Sequence, residues 1–207
     1  MKSLFIVFEG IDGSGTSTQA KLLKEHFSAR GCPTVISPEP TDSPIGKLIR
    51  EALKKRLFLI QDKNKFDEQM AYLFAADRHY HLYNDVDGIC KLIHQYGMNV
   101  ITTRYYFSSL AYNCHTQEEF EFISCLNQKF PQPDLVVYID ISIEISLLRL
   151  SERAFREIYE HKDKLTKVRQ NYHNIFNDYR GLILKIDGAK DKERIHKKIV
   201  DFIEEVF

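Results

Sequence analysis

The sequence predicts an α/β protein of three layers, a doubly wound domain whose five-stranded parallel sheet is covered by helices on both faces. Three observations carry this. Short apolar runs bounded by turn residues recur five times, and segments of helical spacing separate them, which is the βαβ pattern. The first apolar run leads directly into a glycine-rich loop. The chain has 207 residues, 43% hydrophobic and 28% charged, enough for one sizeable core, and it shows no internal repeat, low-complexity tract or domain linker.

In chain order, LFIVFE (4–9) is a continuous apolar run of the kind that forms a buried parallel strand. After the loop, STQAKLLKEHFSARG places Ala20, Leu22, Leu23 and Phe27 at helical spacing and stops at Gly31. PTVIS (33–37) is the second strand, and SPIGKLIREAL is a helix capped by Ser43 with Pro44 in its first turn. Residues 65–84 and 86–96 have helical spacing, the second segment ending at Gly97. MNVITT (98–103), DLVVYIDI (134–141) and GLILKID (181–187) are the remaining strands, expected side by side in chain order. Helical patterns fill the gaps, including 144–178 with a break near 152–160, and 190–206.

Lys plus Arg number 29 and Asp plus Glu 29, so the formal net charge is zero. That balance argues against a general DNA, RNA or membrane-surface binder, which carries a basic excess. MKSLFIVFEG lacks the features of a signal peptide and no run of eighteen apolar residues occurs, so a cytoplasmic location is expected. Cys32, Cys90, Cys114 and Cys125 form no CxxC pair, as expected of reduced thiols rather than disulfides or a zinc site. His79 and His81 diverge on a helix and are expected at the surface or on a pocket rim.

Ligand sites in such folds lie at the carboxyl ends of strands. The loop FEGIDGSGTST, Phe8 to Thr18, sits at the first of these ends. Gly10, Gly13 and Gly15 free the backbone to turn its amides inward, and with Asp12, Ser14, Thr16, Ser17 and Thr18 the loop opens a helix, making an anion nest for phosphate. The spacing Gly10-x4-Gly15 calls for Lys at 16 and Ser or Thr at 17; Ser17 is present and can ligate Mg²⁺, and position 16 is Thr16. A plain glycine turn is the competing reading. Arg104, just past an apolar strand in a Tyr-rich stretch, is a candidate phosphate ligand on its residues alone. Phe74 suits core packing nearly as well as base stacking. Arg78 beside Asp77 suits a surface ion pair, and Arg153 and Arg156 with Glu152 and Glu157 suit a solvated helix face.

FEGIDGSGTSTQ, PEPTDSPIGKLIR, FAADRHYH, TTRYYFSSLAYN and KIDGAKD, in this order and across essentially the whole chain, resemble the thymidylate kinases. The resemblance implies a single P-loop kinase domain over 1–207 with a mobile lid at about 149–160. It implies a homodimer, with ATP as phosphoryl donor, Mg²⁺ as cofactor and dTMP as acceptor. Residue by residue, it implies that Asp12 bonds the acceptor's 3′-hydroxyl and Phe74 stacks on thymine. Arg78 touches base and phosphate, Arg104 grips the phosphate, and Ser108, Tyr112 and Asn113 line the base pocket. Ala189 lies near the donor adenine, and Arg153 and Arg156 belong to the lid.

Four positions depart from the family pattern: Thr16 for lysine, Thr103 for the acid of an Asp-Arg-Tyr segment, Pro38 for arginine and Asn113 for glutamine. A lid arginine, Arg153 ahead of Arg156, is expected to supply the charge that Thr16 lacks, and Glu39, at the end of strand two, is the nearest candidate by topology to replace the carboxylate missing at Thr103 and support Mg²⁺ from behind its ligands. Three readings stay open: thymidylate kinase, kinase for another small nucleotide, and a nucleotide-binding homologue with little catalysis.

Overall fold

A computed structural model describes residues 3–54, 56–57, 60–152 and 159–207. Five strands, β1 (Phe5–Glu9), β2 (Thr34–Ile36), β3 (Asn99–Thr103), β4 (Leu135–Asp140) and β5 (Ile183–Asp187), form one all-parallel sheet. Around it lie α1 (Thr16–Ala29), α2 (Pro44–Leu53), α3 (Lys63–Tyr83), α4 (Ile89–His94), α5 (Tyr106–Asn113), α6 (Gln117–Asn127), α7 (Ile143–Ser151), α8 (Lys162–Asp178) and α9 (Lys192–Val206).

The strands do not lie in chain order; the order across the sheet is β2-β3-β1-β4-β5. β1 takes the centre, where Val7 aligns with Thr102 on one side and Val136 on the other. All five β1 residues are buried, so neither edge nor either face of this strand can meet water. Chain-order pairing would leave β1 at an open edge, its amides unpaired.

Period-2 alternation then sends neighbouring residues to opposite cores. Phe5 and Val7 join Met70, Phe107 and Tyr172 beneath α2, α3, α5 and α8, whereas Leu4, Ile6 and Phe8 pack with Leu23, Phe27 and Ile199 of α1 and α9. Each such buried side chain contributes on the order of 1.5–3 kcal/mol.

Local chemistry sets the helix ends. Ser43 Oγ accepts from the Gly46 amide at 3.1 Å, with Pro44 at the first helical position. α1 closes on Gly31 at φ 71°. α3 starts two residues earlier than its apolar pattern, because Asp62 accepts from the amides of Asn64 and Lys65. α4 is much shorter than the 86–96 pattern: Asn84 Oδ1 accepts from the amides of Val86 and Asp87, which ties residues 84–87 into a turn. α7 ends at Ser151 and α8 begins at Lys162; of the break expected near 152–160, residues 153–158 lie outside the described residues.

Candidate active site

The loop between β1 and α1 carries Gly13 at φ 80° and Gly15 at φ 97°, in the left-handed region that side chains resist. A methyl group on Gly10 would lie 2.6 Å from the Ile139 carbonyl, so this glycine lets the loop pass against β4. Asp12 through Thr18 line one cleft with Glu39, Thr103, Arg149, Gly188 and Lys190. Arg149, in the last turn of α7, donates to the carbonyls of Gly13 at 3.1 Å and Gly188 at 3.0 Å. Its guanidinium thereby clasps the glycine loop to the turn after β5 and puts a fixed positive charge in the cleft wall. Ser146 Oγ donates to the Asp12 carbonyl at 2.6 Å, a second tie from the same helix.

Arg104 follows β3 with φ 76°, a backbone strain of order 1–2 kcal/mol for a residue with a side chain. The turn aims its guanidinium back at the loop. It donates to Asp12 Oδ1 at 2.5 Å, Ser108 Oγ at 3.2 Å and Tyr112 Oη at 3.3 Å, while Tyr112 Oη donates to Asp12 Oδ2 at 2.8 Å. Burial works against the Arg104 charge, but Tyr112 and Asp12 more than offset it and hold its pKa above the ordinary value. Beneath this cluster Glu9 is fully buried and accepts from the Tyr105 amide at 2.7 Å, Ser108 Oγ at 2.7 Å and Tyr172 Oη at 2.8 Å. Burial pushes its pKa up to about 7 against the pull of Ser108, Arg104, Tyr172 and the Tyr105 amide.

A second cleft meets the first at Asp12, Glu39 and Arg104. Phe74, half-buried, supplies an aromatic wall, with Tyr112, Asn113, Ser109 and Tyr159 around it. Arg78 is buried rather than a surface partner of Asp77. Its NH2 donates to Glu39 Oε2 at 2.7 Å and its NH1 to Asn127 Oδ1 at 2.6 Å, and Nε has no partner among the described residues. Asn127 and Ser109 supply part of the hydrogen bonding that a buried ion pair needs beyond its carboxylate. Asp77 instead accepts from the Thr41 amide and hydroxyl and from Ser43 Oγ, fixing the turn after β2. Arg50 reaches the same turn, donating to the carbonyls of Thr41 and Pro40 at 2.5 and 2.6 Å, and lines the second cleft.

The structure thus brings together Gly10, Asp12, Gly13, Ser14, Gly15, Thr16, Ser17, Thr18, Glu39, Phe74, Arg78, Arg104, Ser108, Tyr112 and Asn113 at the carboxyl ends of β1, β2 and β3. Ala189 lines a separate groove with Asp140 and Asp187, although its neighbours Gly188 and Lys190 reach the phosphate cleft. His81, expected at the surface or on a pocket rim, is 3% exposed: its Nδ1 lies 3.2 Å from Glu39 Oε1 and its Nε2 2.7 Å from Ser37 Oγ. Glu39 creates that buried partner, which helical spacing alone cannot reveal. Arg153 and Arg156 lie outside the described residues. Glu9, Arg50, Arg149 and Tyr159 were missed from sequence; only Arg149, four residues before Arg153, carried a signal, the helical spacing of two arginines.

A family model described as thymidylate kinase matches residues 8–199 of the chain. A protein of Methanococcus aeolicus named as a probable thymidylate kinase is 39% identical over 202 residues, covering 95% of this chain and 93% of its own. One from Thermococcus kodakarensis with the same name is 38% identical, covering 97% of both. The solved structure of thymidylate kinase from Candida albicans is similar at a TM-score of 0.77 with 26% identity, covering 99% of this chain and 92% of its own.

Proposed function

The chain belongs to the thymidylate kinase family, and from that premise we propose that it transfers the γ-phosphoryl group of ATP to dTMP, giving ADP and dTDP. The observation that carries the reading is the meeting of a glycine-loop cleft and an aromatic-walled cleft at Asp12 and Arg104, where two phosphates would face one another. An acceptor phosphate oxygen attacks the γ-phosphorus, and the bond to the β–γ bridging oxygen breaks. No proton has to move, so catalysis rests on alignment and charge neutralisation.

In this reading the amides of 13–18 hold the donor phosphates, and the turn carrying Ala189 faces adenine. Phe74 is the platform for thymine, and Asn113, Tyr112 and Ser108 frame it. Arg104 and Arg78 bind the acceptor's phosphate and base side, and Asp12, whose two oxygens each keep acceptor capacity beyond Arg104 and Tyr112, takes the sugar hydroxyl. Glu39 holds Arg78 in place. Magnesium fits as a companion of the triphosphate: Ser17 offers a hydroxyl in the phosphate cleft, and among the described residues no cluster of three or more His, Cys, Asp or Glu would hold a metal by itself. When bound, it neutralises the β- and γ-oxygens. Arg153 is proposed to supply the charge absent at Thr16, so Arg153→Ala should lower kcat and kcat/KM together about a hundredfold, with dTMP binding little changed. An unchanged kcat would reject that role.

The proposal takes 1–207 as one kinase domain with a lid at about 149–160, acting as a cytoplasmic homodimer. Exposed Tyr72 of α3, edge-on to Phe122 of α6 at 5.3 Å, is an apolar surface suited to self-association. No helix among the described residues is long and apolar enough to cross a membrane. A coupled ATP-consumption assay over a panel of nucleoside monophosphates tests the activity. Turnover should be best with dTMP; preference for a purine, or turnover of none, overturns the reading.

A further inference from the structure

β1 ends in the protein interior on a residue that carries a carboxyl group. Glu9 is fully buried, and its two oxygens meet different neighbours. Oε1 accepts from the Tyr105 amide at 2.7 Å. This amide follows Arg104, whose own N–H donates to the Phe8 carbonyl at 2.9 Å and whose C=O accepts from Thr102 Oγ1 at 3.0 Å. A positive φ at a residue with a side chain persists only where its surroundings over-determine it, and Glu9 supplies the third of these restraints. Oε2 belongs to a triangle of oxygens. It lies 2.7 Å from Ser108 Oγ and 2.8 Å from Tyr172 Oη, and the two hydroxyls are 2.8 Å apart. Each hydroxyl has one hydrogen. An ionised Glu9 therefore leaves two hydrogens for three contacts, and one edge of the triangle sets lone pair against lone pair. A protonated Glu9 carries its hydrogen on Oε2, because the amide at Oε1 can only donate, and three hydrogens then cover three edges. Ser108 Oγ also accepts from Arg104 Nη1 at 3.2 Å, so the triangle touches the guanidinium assigned to the acceptor phosphate.

We propose that Glu9 is a positioning residue for the acceptor: it holds the turn that aims Arg104, and its triangle takes up one proton from solvent as a phosphate dianion docks on that guanidinium. This rests on the reading of the second cleft as a nucleoside monophosphate site. The ionised carboxylate is shut away from water, and Arg104 is the cation that supports it. A docked phosphate engages the same guanidinium and adds negative charge beside a buried carboxylate, so the neutral acid gains. The free protein is close to the exchange already, since burial pushes this carboxyl up to about 7. The other charged or titratable groups of the cluster are Asp12, paired with Arg104, and Tyr106, Tyr112, Tyr138 and Tyr172, whose phenols burial keeps protonated. If binding favours the protonated acid, the protonated acid favours binding, so acceptor affinity falls as pH rises and Glu9 ionises.

The test titrates dTMP into the wild type by calorimetry at pH 8 in two buffers of different ionisation enthalpy, and measures the dissociation constant from pH 7.5 to pH 9. In this range the phosphate of free dTMP is already a dianion, its second pKa being about 6, so the nucleotide itself exchanges almost no proton. A tenfold linkage, ordinary for coupled sites, gives uptake of about 0.4 proton per dTMP at pH 8 and a dissociation constant that rises about threefold from pH 7.5 to pH 9. Glu9→Gln copies the protonated acid: its carbonyl accepts from the Tyr105 amide and its amino group donates into the triangle. It should bind dTMP at pH 9 at least as tightly as the wild type, with no uptake and no slope. Glu9→Ala frees the turn and should raise KM for dTMP at least about tenfold, with KM for ATP within about twofold. Equal heats of proton exchange in both buffers overturn the proposal, as does an uptake that persists in Glu9→Gln, which belongs to another group. A Glu9→Ala protein with a lower Tm and both KM values unchanged overturns the positioning role. Binding of dTMP without turnover overturns the kinase reading alone, because the buffer dependence still decides Glu9; no binding of dTMP overturns both.

Discussion

Glu9 shows how one residue links the site to stability. Its carboxyl is held by three donors yet fully buried, and burial raises its pKa from 4.5 to about 7. The folded protein therefore binds a proton between these values that the unfolded chain releases. Below about pH 4.5 the stabilisation is fully present, and it is lost as pH rises through about 7. The span corresponds to about 3 kcal/mol. Urea unfolding at pH 5 and pH 8 should show the wild type losing up to this amount relative to Glu9→Gln over that interval; equal slopes would mean that Glu9 is ionised throughout. Sequence showed Glu9 only as the last residue of an apolar strand. Its partners come from residues 105, 108 and 172, which no local pattern places beside it.

At the scale of one element, α3 does several tasks along a single stripe. Asp67, Met70, Phe74, Asp77, Arg78 and His81 recur at helical spacing, and they respectively hold Tyr159, fill the core, wall the cleft, lock the turn after β2, and bind Glu39 from two sides. Phe74 is half-buried rather than enclosed, which leaves its ring free to meet a base. Phe74→Ala should weaken dTMP binding by ~1–3 kcal/mol in calorimetry. A lower unfolding midpoint with unchanged affinity would return Phe74 to the core. The helix itself was legible from its apolar spacing. Its load of polar function was not, because a buried Asp, Arg or His at core spacing reads as an exposed face until its partner is known.

Across the whole molecule, the central place of β1 creates the site. The chain winds toward β3 and β2 on one side and toward β4 and β5 on the other, so the end of β1 is where the winding reverses and a crevice opens. Residues from the loops after β1, β2 and β3, from α2, α3 and α5, and from the turn before α8 converge there. A ligand bound at this convergence stabilises the entire fold. At a hundred times its dissociation constant, dTMP should add about 2.7 kcal/mol, a rise in Tm of roughly 5–10 °C for a chain of this size. Scanning calorimetry with no shift at saturation would place the acceptor elsewhere. The five strands, the glycine loop and the Ser43 and Gly31 helix ends were legible in the amino-acid pattern, because periodicity and capping are local and report which face is buried; Arg104 stood out by its place just past an apolar strand, and the roles of Asp12 and Phe74 entered through the family resemblance. The order of the strands, the burial of His81 and Arg78, the clasp of Arg149 and the hydrogen bond between Asn113 and Tyr159 emerged only in the folded chain. Each of these depends on a partner 39 to 136 residues away, or on a strand's neighbour, and a chain's local pattern does not carry the identity of what will pack against it.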